Sequence, residues 1–295
     1  MNIERIEFDV DGATVAGLLH WPQSAPRAAL VLTGPLTSVK EQATGAYARA
    51  MAARGFAALA FDHRTFGESG GEPRQYESPP RKIADIRHAA AFLGRHARTA
   101  NLPLGAIGIC AGGGYMAGAV ASEPRLLAFA AVAGVFPDVQ ATRTWLGVKF
   151  DASIDAARAA RLRFEAGEPA ERIPAVGDGE VAMPLAEAFE FYGTPRGAVP
   201  NYTNSFAVQS REFTLPFDAM TVAERIRVPT LMVHSERALL PALARQFYER
   251  LKAPKQQLWL QSRGQIDFYD DPALIDASAD SIATHFRSTL PSERN

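Results

Sequence analysis

The run Leu104-Gly105-Ala106-Ile107-Gly108-Ile109-Cys110-Ala111-Gly112-Gly113-Gly114-Tyr115 reads as a short buried strand passing directly into a glycine-rich helix start. Within it Gly108 to Gly112 spell Gly-x-Cys-x-Gly, the pattern of a strained strand-to-helix turn that lifts a nucleophile above the strand ends, with cysteine where serine is usual. The spacing has a steric origin. Side chains two residues before and after the nucleophile would collide with neighbouring backbone, and glycine removes both collisions. The N–H groups and positive end of the following helix lie beneath the sulfur and favour a thiolate over a thiol. Cys110 is therefore expected as a nucleophile, against the plainer expectation that a lone cysteine is one more small buried hydrophobe.

Outward from this turn the chain alternates strand and helix. Upstream, residues 3–10 and 14–21 alternate or run apolar around Asp11-Gly12, a hairpin with a tight turn. Residues 28–33 form a buried strand ending at Gly34-Pro35-Leu36-Thr37, and residues 39–54 carry Ala43, Ala46, Tyr47, Ala50 and Met51 at helical period, closed by Gly55. A strand over 56–61 delivers the turn-rich residues 62–71, and a helix over 81–95 follows. Downstream lie the glycine-rich helix to about residue 121 and a strand over 127–135. Strand–helix units in succession predict a parallel sheet with right-handed crossovers. That rhythm breaks from 137 to 216, where helices over 151–166 and 181–192 and a polar, aromatic stretch over 193–217 predict a lid. It resumes with a strand over 229–235, a helix opened by Pro241, a strand over 257–261, and a last helix with Asp271 as N-cap and Pro272 at its first position. The domain reading is a core of residues 1–136 and 217–295 with the insertion 137–216 over it. The tail after Leu290 is expected to fray.

Composition removes several classes of function. A chain of 295 residues, 47% hydrophobic, buries a sizeable core, and its apolar runs are too short to span a bilayer. The start Met1-Asn-Ile-Glu-Arg-Ile-Glu-Phe lacks the basic cap and apolar centre of an export signal, so a cytoplasmic address is expected. One cysteine makes no internal disulfide or cysteine-based zinc site, and the six histidines have no metal-ligand spacing. A net charge of −1 leaves no cationic excess for nucleic acid. The expected partner is a small acyl substrate, with no metal or other cofactor, no nucleic acid and no membrane; a homodimer is left open.

The order of two antiparallel strands, parallel strand–helix units, an elbow after the third parallel strand and a lid before the last two strands resembles the α/β-hydrolase superfamily. The resemblance covers nearly the whole chain, and it implies a mostly parallel eight-stranded sheet with helices on both faces. The cysteine elbow is most similar to the dienelactone-hydrolase-like branch. Phe61-Asp62-His63-Arg64-x-x-Gly67-x-Ser69 is similar to the Asp-x-Arg-Gly-x-Gly-x-Ser turn of many members, which makes Asp62, His63 and Arg64 scaffold. In the resemblance Thr33-Gly34-Pro35-Leu36 occupies the place of the oxyanion-hole loop. Proline has no N–H, so Leu36 is the donor, paired with the amide of Ala111.

The departures matter as much. Where many members carry His-Gly-Glu-x-Asp this chain has His234-Ser235-Glu236-Arg237-Ala238, so alanine holds the acid position. Where the family places its histidine, Ser262-Arg263-Gly264-Gln265-Ile266-Asp267 puts Gln265 in the base position. A complete triad is not supported. Cysteine tolerates that loss, because a thiol of reference pKa about 8.5 can ionise without a base. Gln265 can donate a hydrogen bond but cannot carry a proton, so an acyl group on Cys110 is expected to pass to an amine, alcohol or thiol more readily than to water. Glu236 is the carboxylate that could swing in, although a glutamate at a strand end is more often solvated; Asp267 is expected as a turn or cap, and His234 as a structural imidazole. In the lid, Phe189, Phe191, Tyr192, Tyr202, Phe206 and Phe213, with Asn201 and Asn204, suit a mostly apolar ligand with a few polar groups, and Tyr192 and Tyr202 are the expected substrate contacts. The expected function is a cysteine-dependent enzyme acting on a small ester, lactone or thioester, by hydrolysis or acyl transfer. Two readings compete with it: a catalytically silent ligand-binding homologue, and a non-covalent lyase or cyclase.

Overall fold

Apolar alternation in the first residues builds an antiparallel ribbon of β1 (Asn2–Val10) and β2 (Ala13–Trp21), which turns at Asp11 and Gly12, both at positive φ. The computed structural model describes residues 2–291. After the ribbon come β3 (Ala29–Thr33), α1 (Ala43–Ala53), β4 (Ala57–Phe61), α2 (Pro79–Leu93), β5 (Leu104–Ile109), α3 (Ala111–Val120) and β6 (Leu126–Val132). The next segment holds α4 (Val139–Leu146), α5 (Lys149–Glu165), the two-residue strands β7 (Arg172–Ile173) and β8 (Phe206–Ala207), α6 (Ala186–Tyr192), a 3-10 turn (Val208–Ser210), α7 (Arg211–Thr214) and α8 (Met220–Ala223). The chain closes with β9 (Thr230–His234), α9 (Pro241–Arg250), β10 (Lys255–Trp259), α10 (Asp267–Asp270) and α11 (Pro272–Thr289).

Eight strands form one sheet in the order β1-β2-β4-β3-β5-β6-β9-β10, antiparallel across β1, β2 and β4 and parallel from β4 onward. The central strands are buried on both faces, which is why they read as continuous apolar runs. Successive residues of β3 show how the two faces divide. Ala29 and Val31 belong to the core layer that holds Ile86 of α2, Met116 of α3 and Phe247 of α9, whereas Leu30 and Leu32 belong to the opposite layer, with Tyr47 and Met51 of α1 and Phe286 of α11. This is the architecture that the sequence implied.

Element bounds shift where local chemistry decides them. The strand expected to 135 stops at Val132 because Ala133 takes φ 41. The helix expected from 39 starts at Ala43, since residues 34–42 fold into a loop whose N–H groups bond to side chains. The helix expected over 181–192 is confined to α6, and α10 was not anticipated. Asp271 caps α11 as expected, its side chain accepting from the N–H groups of Ala273 and Leu274. Of the tail expected to fray, all but Pro291 lies outside the described residues. No helix among the described residues is long and apolar enough to cross a membrane.

Candidate active site

Cys110 sits between β5 and α3 at φ 55, ψ −125, a backbone region that side chains rarely adopt. The turn is held on both sides. Cys110 donates its N–H to the Val132 carbonyl at 3.1 Å, and its own carbonyl accepts from Gly113 and Val135 at 2.8 Å each. The flanking glycines have the steric reason that the sequence suggested. A Cβ on Gly108 would lie 2.5 Å from the Gly112 carbonyl oxygen, and one on Gly112 would lie 2.6 Å from that of Thr33. Backbone faces backbone in both cases, so neither contact can relax cheaply.

Four donors face the sulfur: the Tyr269 hydroxyl, the backbone N–H groups of Ala111 and Leu36, and the Gln265 side-chain amide. Each stabilises the thiolate. The residue is nevertheless only 8% exposed, and burial pushes the thiol above its ordinary pKa, outweighing the donors. The expectation that the helix end alone would lower it is corrected here, because enclosure by the cavity walls dominates. Gln265 is fixed rather than free. Its Oε1 accepts from the Leu239 N–H at 2.8 Å, and its Nε2 donates to the Ala133 carbonyl at 2.9 Å and to the Tyr269 hydroxyl at 3.3 Å. A chain of donors therefore runs from Gln265 through Tyr269 to the sulfur, with no imidazole in it.

The sulfur opens into a cavity of about 190 Å³ whose walls include Pro35, Tyr115, Glu187, Tyr192 and Phe217. The Tyr192 hydroxyl is buried and has no hydrogen-bond partner among the described residues, so it offers a polar handle in the cavity wall. Tyr202 stands behind it, ring centroids 5.2 Å apart, and does not line the cavity. The loop that brings Leu36 to the sulfur is anchored from below. Thr37, at φ 60, donates its N–H to Glu77 Oε2 at 3.1 Å, while Glu77 Oε1 meets Lys82 Nζ at 2.7 Å and the Tyr115 hydroxyl at 2.8 Å. Further along, Lys40 bonds Asp62 with both its N–H, at 2.8 Å, and its Nζ, at 2.7 Å. His63 Nε2 lies 2.7 Å from the Thr33 hydroxyl, with Asp85 at 3.2 Å from Nδ1 and also bound to Arg64. Asp62, His63 and Arg64 thus hold the loops in place, as scaffold.

The structure brings Cys110, Leu36, Ala111, Gln265 and Tyr192 together and leaves Glu236 out. The Glu236 carboxylate is on the surface, paired with Arg245, and does not line the cavity. Asp267 binds Arg263 at 2.7 Å, the turn role expected of it. Buried His234 sets Nε2 3.3 Å from the Gly134 carbonyl and Nδ1 3.0 Å from that of Ser235, and burial lowers its pKa. Of the other aromatics expected over the site, none lines the cavity, and Asn204 binds the backbone of Val176. Sequence reading missed Tyr269 and Glu187. Tyr269 follows Gln265 by four residues, a helical spacing that could have flagged it; Glu187 carries no local signal.

Comparisons with known proteins agree with this fold. A family model described as serine aminopeptidase, S33, matches residues 24–264. The uncharacterized protein YcjY of Escherichia coli is 33% identical over 280 residues, 89% of each chain. The uncharacterized protein PA2218 of Pseudomonas aeruginosa is 32% identical over 278 residues, 88% of this chain and 73% of that one. Its crystal structure superposes with a TM-score of 0.86 at 27% identity, covering 98% of this chain and 94% of the other. A polyketide transferase, grgF, of a Penicillium species is 26% identical over 288 residues, 95% of this chain and 96% of that one.

Proposed function

The chain belongs to the serine aminopeptidase S33 family of α/β-hydrolases, and on that premise we propose that it is a cysteine-dependent acyltransferase that accepts an acyl group from a thioester onto Cys110 and passes it to a second substrate. The observation that carries this reading is the elbow sulfur at a cavity wall, met by the N–H groups of Leu36 and Ala111, with glutamine in the place of the histidine. A relative named for polyketide transfer supports acyl transfer. The cysteine elbow is the feature that would place the chain in the dienelactone-hydrolase-like branch.

Proton balance selects the donor. When Cys110 sulfur bonds to the carbonyl carbon of a thioester, the carbon–sulfur bond to the donor breaks, and the proton that Cys110 loses ends on the departing thiol. One thiol replaces another and the proton ends on sulfur as it began, so the exchange leaves no net proton for a resident base to hold. An oxygen ester would expel an alkoxide, which needs a general acid that a neutral amide does not supply. The N–H groups of Leu36 and Ala111 serve as the oxyanion hole, and loss of one such donor in other enzymes costs about 10² to 10³ in rate. Tyr192 orients a polar group of the acyl chain.

Incubation with the acetyl thioester of N-acetylcysteamine, followed by intact mass, should show one acetyl group on the wild type and none on Cys110→Ala. A Cys110→Ala protein that turns the thioester over at the wild-type rate overturns the proposal. The burial of the thiol, which pushes its pKa up, favours one other reading, a ligand-binding homologue without turnover. A wild type that binds the thioester and never acquires mass would establish it.

A further inference from the structure

The wall of the Cys110 cavity contains one carboxylate, Glu187, carried in on α6 from the insertion between β6 and β9. Its placement is specific. Glu187 Oε2 accepts the backbone N–H of Gln265 at 2.9 Å and that of Ile266 at 3.4 Å, the turn in which glutamine stands for the missing imidazole. Gly264 makes the approach possible, because a Cβ there would lie 2.3 Å from the same oxygen. Glu187 Oε1 has no partner among the described residues. Both polar atoms of the Gln265 amide are engaged, as described above, and an amide cannot take a proton from an attacking group.

Resting on the acyl-transfer reading, we infer that Glu187 is the general base of the second half-reaction, acting on a protic acceptor, an alcohol or an amine held in the cavity. The acceptor oxygen or nitrogen bonds to the acyl carbonyl carbon while its proton moves to Glu187 Oε1. The bond from that carbon to the Cys110 sulfur breaks, and the sulfur leaves with the electron pair. The proton on Glu187 then returns to the sulfur, so acyl-Cys110 plus acceptor gives the free thiol plus acylated acceptor with no co-reactant. The lid thus supplies what the last loop of the core has lost. The first half-reaction does not use Glu187, since there the proton leaves on the donor thiol.

The test separates the two half-reactions in the full chain. Wild type and Glu187→Gln are acetylated with the N-acetylcysteamine thioester, freed of reagent, and chased with ethanol or with hydroxylamine while the acyl mass is followed. Glutamine keeps an oxygen for the Gln265 N–H but removes the proton acceptor. Glu187→Gln is expected to acylate within about threefold of wild type and to lose its acyl group to ethanol about 10²-fold more slowly, the scale of general-base assistance. Hydroxylamine attacks thioesters without such help and should clear both proteins at similar rates. Equal decay of the two proteins in ethanol overturns the inference. Equal slowing of Glu187→Gln toward ethanol and hydroxylamine also overturns it, showing that Glu187 only shapes the cavity. A wild type that never acylates removes the parent reading and this one with it, and it is told apart because the first step already fails.

Discussion

At Cys110 two effects oppose each other, and the winner sets the reactivity. Four donors favour the thiolate, yet enclosure holds the thiol above its ordinary pKa. A group whose pKa is raised gains its reactive, deprotonated form only as pH rises, so alkylation by iodoacetamide should increase with pH through a midpoint above that of free cysteine. Tyr269→Phe removes the leading donor and should slow alkylation by roughly tenfold at fixed pH below the midpoint, since a hydrogen bond to a charged group contributes about 1.5 kcal/mol or more. A Tyr269→Phe protein alkylated at the wild-type rate would show that the hydroxyl does not support the sulfur. The placement of Cys110, Leu36, Ala111 and Gln265 around one cavity was legible in the sequence because it follows from local backbone: two glycines, one proline and one loop position. Tyr269 and Glu187 were not, because each reaches the site through the packing of one element against another.

Among the elements, the loop of residues 34–42 depends most on groups outside itself. Its N–H groups at Thr37 and Lys40 end on buried carboxylates, Glu77 and Asp62, contributed by distant turns. Glu77 ties three things together. It binds the loop, it neutralises Lys82, and its own N–H donates to the hydroxyl of Ser210 in the insertion at 2.9 Å. Glu77→Ala leaves the Lys82 ammonium, 3% exposed, without its counter-ion, and should cost about 3 to 5 kcal/mol in urea unfolding. Glu77→Leu with Lys82→Met removes both charges and should recover most of that stability. The double variant should still acylate at least tenfold more slowly, because Thr37 has lost its acceptor and Leu36 its fixed position. Acylation at the wild-type rate in the double variant would show that the loop keeps its shape unaided. None of this was readable beforehand. A Glu and a Lys five residues apart at a helix start look like solvated charges until the Thr37 loop, Tyr115 and the insertion close over them.

Across the whole molecule the legible and illegible parts divide by depth in the sheet. The central strands β3, β4, β5 and β6 stood out because burial on both faces leaves no polar alternation. The insertion was found only as a break in rhythm, since its short elements take their bounds from contacts with the core. Four histidines, His20, His63, His234 and His285, are also buried, and desolvation lowers the pKa of each; His20 on β2 is pushed down to about 4, with Arg49 nearby adding to the effect. A histidine whose folded pKa lies below its unfolded value of 6.5 binds its proton more readily in the unfolded chain. Its contribution is therefore intact above pH 6.5, declines as pH falls, and levels off once the pH is below the folded pKa. At pH 5, His20 alone should cost about 2 kcal/mol relative to pH 7.5. Stability should consequently fall from pH 6.5 downward, before most carboxylates are protonated. His20→Leu, unfolded with urea at pH 7.5 and pH 5, should lose about 2 kcal/mol less between the two than wild type does. If wild type holds its midpoint down to pH 4.5, or the variant keeps the full slope, the neutral, buried state of these rings does not govern the acid limit of the fold.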